Sequence, residues 1–203
     1  MKFESAYKGV RLLFWAEILG IISQFAILIA ASAITVGGNY SLVGAFLVVA
    51  IIGVALFIAA SIIGIVGYAK ASKDEELFMY ALIFTLAGIV ISLLSGLFQN
   101  VAVKNWFTVL QNTMSTLTII FSIYGLISLS QKMNDQKNVE FGARILRFIF
   151  VILILGLVLN IVSTFFKVNV MIAGILLICV SVLYIIAYFM YIAYLRKVEK
   201  MLK

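Results

Sequence analysis

Six apolar runs, at 12–34, 42–66, 77–98, 107–129, 145–166 and 170–195, dominate the chain. At about 1.5 Å of rise per residue, a hydrocarbon core of about 30 Å is crossed by about 20 residues, and every run reaches that length. Inside lipid each backbone donor and acceptor has to be satisfied within the segment, so continuous runs of this kind fold as helices. The fold expected is therefore all-α and integral to the membrane: a six-helix transmembrane bundle, with 1–203 as a single polytopic domain. Composition agrees. Of the 203 residues, 65% are apolar and 11% charged, against about 45–50% and 25% for a soluble domain. Too little chain lies between the runs for a separate soluble domain.

The basic residues assign an orientation. Lys2, Lys8, Arg11, Lys70, Lys73, Lys132, Lys137, Arg144, Arg147, Arg196, Lys197, Lys200 and Lys203 fall on one side, and only Lys104 and Lys167 on the other. Cytoplasmic connections carry the excess of Lys and Arg. The expectation is a plasma (inner) membrane protein with both termini cytoplasmic, its net charge of +7 facing anionic lipid head groups rather than a nucleic acid. The start of the chain has features of a cleavable signal, with Ala31-Ser32-Ala33 as a small-residue site. Its apolar stretch is too long for that and carries Glu17 and Gln24, so it is expected to remain as the first helix.

A constant offset of 68 lays Ile18-Leu19-Gly20-Ile21 over Leu86-Ala87-Gly88-Ile89 and Ile154-Leu155-Gly156-Leu157 without a gap. This points to three tandem two-helix repeats. An even number of spans per repeat keeps all three in one orientation, so the symmetry axis would run along the membrane normal as a pseudo-threefold. The same alignment sets Gln24, Ser92 and Asn160 at one depth. Three uncharged polar groups there would suit a small neutral solute, although polar side chains in membrane helices more often bond a neighbouring helix.

Glu17 is the one acidic residue inside a span, and an ionised carboxylate there needs a partner or water. Arg147, near the start of the fifth run, is the expected partner. A proton-coupling or cation-binding role stands beside the plainer reading of a structural ion pair. In the fourth run Thr108, Gln111, Ser115, Thr118, Ser122 and Gly125 recur every three or four residues, hence on one helical face; Gln111, Ser115 and Thr118 are its candidate binding residues. Of the tyrosines, Tyr68, Tyr191 and Tyr194 fit an interfacial belt with Trp15 and Tyr124, whereas Tyr184 and Tyr188 lie deeper. Ala26 with Ala30, Ala60 with Gly64, and Gly88, Ser92 and Gly96 form small-residue ridges suited to close helix packing.

Absences exclude much chemistry. There is no His, and Cys179 is the single Cys, so neither a His-based metal site nor a Ser-His-Asp or Cys-His pair can form. Asp74 and Asp135 lie in connections, away from any intramembrane aspartyl pair, and no nucleotide-binding motif occurs. No Pro is present, and the spans read as unbroken. The expectation is a non-enzymatic protein with no cofactor or metal. It binds or transports a small, largely neutral solute, alone or as the membrane subunit of a transporter. The alternative is a structural or accessory protein packing against partner subunits or a second copy of itself.

Overall fold

The structure, a computed structural model, describes residues 3–36, 40–165 and 170–203. Within the helices some side chains lie outside the described set, among them 33–36, 157 and 159–165. Six helices make up the described residues: α1 (Glu4–Val36), α2 (Tyr40–Ala71), α3 (Leu77–Ser95), α4 (Val101–Lys132), α5 (Gln136–Phe165) and α6 (Val170–Leu202). No strand occurs among them. Each apolar run corresponds to one helix. Several helices continue past the apolar limit into charged sequence, as α6 does through Arg196 and Lys197 to Leu202. The described α3 stops short of its expected end, where Leu93 and Leu94 carbonyls accept the N–H groups of Gly96 and Leu97 in a tighter turn.

Among the described residues five helices are long and apolar enough to cross a membrane. The sixth, α5, is described only in part. Over its described side chains at 136–156 it carries Lys137, Glu140, Arg144 and Arg147; beyond them only Val158 of the run expected at 145–166 has a described side chain. Its 30 residues nonetheless measure about 45 Å.

Each helix packs on its chain neighbours, α6 packs back on α1, and α4 also touches α6. The most extensive contacts are within the pairs α1 with α2, α3 with α4, and α5 with α6. Buried residues gather at the end that bears the termini: Val10 and Leu13, Tyr68 and Ala71, Phe78, Ile123, Leu126 and Leu129, Ile145, Ile149 and Ile152, and Tyr191, Tyr194, Leu195, Val198 and Leu202. Toward the opposite end large apolar side chains are exposed, including Leu28, Ile51, Leu93, Trp106 and Ile154. A soluble monomer does not display apolar surface on this scale, whereas a bilayer covers it at no cost.

Small residues set the closest approach, between α1 and α2. A Cβ at Gly9 would stand 2.5 Å from the Ala71 nitrogen and 2.6 Å from the Gly67 carbonyl oxygen. Ala26 meets Gly53, and Ala16 meets Gly64, along the same seam. At the terminus-bearing end, polar contacts tie the connections together. Asp74 accepts the Ala6 N–H at 2.6 Å, and Glu75 accepts from Ser128 at 2.5 Å and pairs with Lys132 at 2.7 Å. The α4–α5 turn closes on Asn134 in the left-handed region, φ 57°. The N–H groups of Asn134 and Asp135 return to the carbonyls of Gln131 and Ser130, which is the pairing of a Schellman cap. Asp135 then caps α5 by accepting the Asn138 N–H at 3.1 Å.

Candidate functional site

The polar face of α4 changes character along its length. Thr108 and Ser115 are exposed, Gln111 and Thr118 partly buried, and Ser122 and Gly125 fully enclosed. Several hydroxyls are satisfied by their own helix: Thr108 donates to the Lys104 carbonyl, Thr116 to Asn112 and Thr118 to Met114. This is the ordinary way a membrane helix carries Thr. Nearer the terminus-bearing end the face serves packing. Thr118 lies 3.4 Å from Thr85 of α3, and Gly125 leaves room for the Phe78 ring, which a Cβ would meet at 2.8 Å.

Beneath that face lies a polar cluster from four helices, with Ser122, Tyr68 and Tyr191 buried and Glu17 and Tyr188 partly buried. The Ser122 and Tyr191 hydroxyls share a hydrogen bond of 2.8 Å between α4 and α6. One turn earlier on α6, the Tyr188 hydroxyl donates to the Glu17 carboxylate of α1. Tyr68 of α2 completes the group, within interaction range of Glu17, Ser122 and Tyr191. Two hydrogen bonds thus hold α6 against α1 on one side and α4 on the other. Each is made by a tyrosine whose ring also contributes apolar surface to the bundle.

A small cavity of about 40 Å³ opens beside the cluster between α4, α5 and α6. Thr116, Ile119, Ile149, Tyr184, Ala187, Tyr188 and Tyr191 line it. At about 10–15 Å³ for each water-sized occupant, it accommodates a group of roughly three non-hydrogen atoms. The tyrosines that form its floor are the ones pinned by Glu17 and Ser122.

Among the residues singled out from the sequence, Glu17 and the α4 face reach this region. Glu17 has Tyr188 as its partner; Arg147 is exposed and enters no ion pair among the described residues. The helices that carry them, α1 and α5, share no contact among the described residues. Gln24 and Ser92 are both exposed, on helices α1 and α3 that likewise share no contact among the described residues, and the Asn160 side chain lies outside the described residues. Three tyrosines assigned to the interface are instead core: Tyr191 and Tyr194 are 0% exposed and Tyr68 4%. Trp15 and Tyr124 are exposed as expected, at 49% and 43%. Ser122, Tyr68, Tyr191 and Thr116 join the site without having been candidates for binding. The signal for Ser122 and Tyr191 was the three- and four-residue spacing of polar groups on α4 and α6, which assigns a face but not what the face meets; Tyr68 and Thr116 carried no such signal.

Comparison with protein-family models, with curated proteins and with solved structures returns no match for this chain, so its functional reading rests on the multi-pass helical fold and the geometry of this site.

Proposed function

We propose that this multi-pass membrane protein binds or transports a small, largely neutral solute, alone or as the membrane subunit of a transporter, and is not an enzyme. The observation that carries the reading is the α4–α5–α6 cavity, walled by Thr116 and three tyrosines and set where the α4 polar face passes into the core. It takes a solute of only a few atoms in this state. Gln111, Ser115 and Thr118 are on the same helix but outside the cavity lining, and Thr118 packs against Thr85 of α3. The protein resides in the plasma (inner) membrane with both termini cytoplasmic, as the 13 to 2 division of basic residues favours. Three tandem two-helix repeats about a pseudo-threefold axis are supported by the offset-68 alignment and by the predominance of contacts within consecutive helix pairs.

The test is solute-dependent thermal stabilisation of the purified protein across neutral compounds of two or three non-hydrogen atoms such as formamide and methanol, with Ala187→Leu filling the cavity. A shift in wild type that Ala187→Leu abolishes is the expected result; no shift in wild type with any compound contradicts the reading. A second reading, an accessory protein that packs against partner subunits or a second copy, is favoured by the exposure of Gln24, Ser92 and Ser115. Their polar groups would find partners on a neighbouring helix.

A further inference from the structure

Among the described residues, α1, α2, α3, α4 and α6 touch in turn around a closed ring, with α5 set against α4 and α6. No contact crosses the ring: α1 meets neither α3 nor α4, α2 meets neither α4 nor α6, and α3 does not meet α6. Toward the terminus-bearing end its interior is filled. Phe78 reaches Tyr68 and Gly125, Tyr188 reaches Glu17, and Tyr191 reaches Ser122. A step of seven residues turns a helix by only about 20° and moves about 10 Å along it, so residues one step outward from these contacts face the same interior. From Glu17 and Tyr188 the step leads to Gln24 and Ser181, and from Ser122 and Tyr191 to Ser115 and Tyr184. From the Thr85–Thr118 contact it leads to Ser92 and Gln111. All six are polar; Gln111 is partly buried and the other five are exposed.

The other side of each helix suits lipid. Ile22 and Val90, two residues from Gln24 and Ser92 and hence about 160° round the helix, are exposed and apolar. Leu110 and Trp106 stand across α4 from Ser115 in the same way. The side chains of Gln24, Ser92, Gln111 and Ser115 make no hydrogen bond among the described residues, whereas Ser61 and Ser130 donate to carbonyls of their own helices. Free amides and hydroxyls turned to the inside of a bundle need water or a solute.

We propose that the ring encloses a water-filled crevice, open at the end opposite the termini and floored by Glu17, Tyr188, Ser122 and Tyr191, in which Gln24, Ser92, Gln111 and Ser115 bind a neutral polyhydroxyl solute. Each of these four side chains both donates and accepts, as each hydroxyl of such a solute does, and none offers a charge to an ion. The crevice is a second site beyond the α4–α5–α6 cavity, which none of the four lines. That cavity is too small for erythritol, so solute size and the choice of variant tell the two sites apart.

The experiment places single cysteines in a Cys179→Ser background, as Gln24→Cys, Ser92→Cys and Ser115→Cys, with Ile22→Cys and Val90→Cys as controls at matching depth. The reconstituted full-length protein is treated with a membrane-impermeant methanethiosulfonate on the face that bears the α3–α4 connection, with and without erythritol. Thiols react as thiolates, which form in water and not in lipid. The three crevice positions should react at least about tenfold faster than the two controls, and erythritol should slow them. Rates no faster than the controls would overturn the proposal and place lipid or a partner helix against these positions. Fast reaction that erythritol leaves unchanged would overturn the solute site. Binding of radiolabelled erythritol to wild type needs no cysteine variant. It should be saturable, weaken at least about tenfold in Gln24→Leu and persist in Ala187→Leu. No binding to wild type, or equal binding to folded Gln24→Leu, would overturn the proposal; loss in Ala187→Leu alone would overturn it in favour of the α4–α5–α6 cavity.

Discussion

Replacing Gly9 by Ala places a methyl group where α1 and α2 cross, 2.5 Å from the Ala71 nitrogen, 2.6 Å from the Gly67 oxygen and 2.8 Å from the Ala71 Cβ. Two of those three neighbours are backbone atoms and cannot swing away as a side chain would. Unstrained contacts lie at about 3.5–4.0 Å, so the helices must part by about 1 Å at this point. A gap of that size forfeits about a quarter to a half of the dispersion energy of the contacts it opens. Overpacking of this kind costs about 1–3 kcal/mol. Gly20, on the same helix, has open space where its Cβ would be, so Gly20→Ala gains the same helix propensity without the clash. The difference between the two variants isolates the close approach, and Gly9→Ala should be the less stable by about 1–3 kcal/mol. Unfolding in mixed micelles with rising dodecyl sulfate, followed by Trp fluorescence, measures both. Equal stability within about 0.5 kcal/mol would show that the crossing is not as close as described.

Three further expectations concern the polar contacts. Ser122→Ala, Tyr191→Phe and the double variant, unfolded in the same micelles, should give a coupling energy of about 0.6 kcal/mol and no more than about 1.7 kcal/mol; zero coupling would mean that the two hydroxyls do not bond each other. Asp74→Ala removes the acceptor that holds the Ala6 N–H and should cost about 1 kcal/mol, as lost caps do. Faster amide hydrogen exchange at Ala6 and its neighbours would accompany that loss, and unchanged exchange would count against the contact. Asn134→Val should lower stability by about 1–2 kcal/mol because a β-branched residue resists the left-handed conformation, while Asn134→Gly should be tolerated. Equal thermal midpoints for the two would contradict a positive φ at this turn.

Helix number and approximate limits follow from the apolar runs because burial in lipid depends on segment averages, and averages are visible in a sequence. Which face meets which helix is decided by pair contacts, and those are not. Glu17 illustrates the distinction. Its isolation among apolar residues marks it as unusual, but its partner is 171 positions away on α6. Arg147 offered the better charge, yet it belongs to a helix that does not touch α1 among the described residues. Gln24 and Ser92 share a depth in the repeat alignment, and depth says nothing about azimuth; both turn out to be exposed. Tyr191 and Tyr194 lie near the end of a span, where tyrosines commonly meet head groups. Here the helices extend further and pack around them, so that both are enclosed. Gly9 carries no signal in the sequence because it precedes the first apolar run, although it forms the tightest contact of α1 with α2. The α4 face was legible throughout, since its three- and four-residue spacing survives any choice of neighbours.

Whether α5 crosses the membrane decides the architecture, because six crossings return the chain to the side on which it began and five do not. Single cysteines in place of Glu4, Gln99 and Lys203, in a Cys179→Ser background, can be labelled in sealed vesicles of known orientation with a membrane-impermeant maleimide. A six-span bundle requires positions 4 and 203 to label from the same side, and position 99, in the α3–α4 connection, from the other. Labelling of positions 4 and 203 from opposite sides would contradict it.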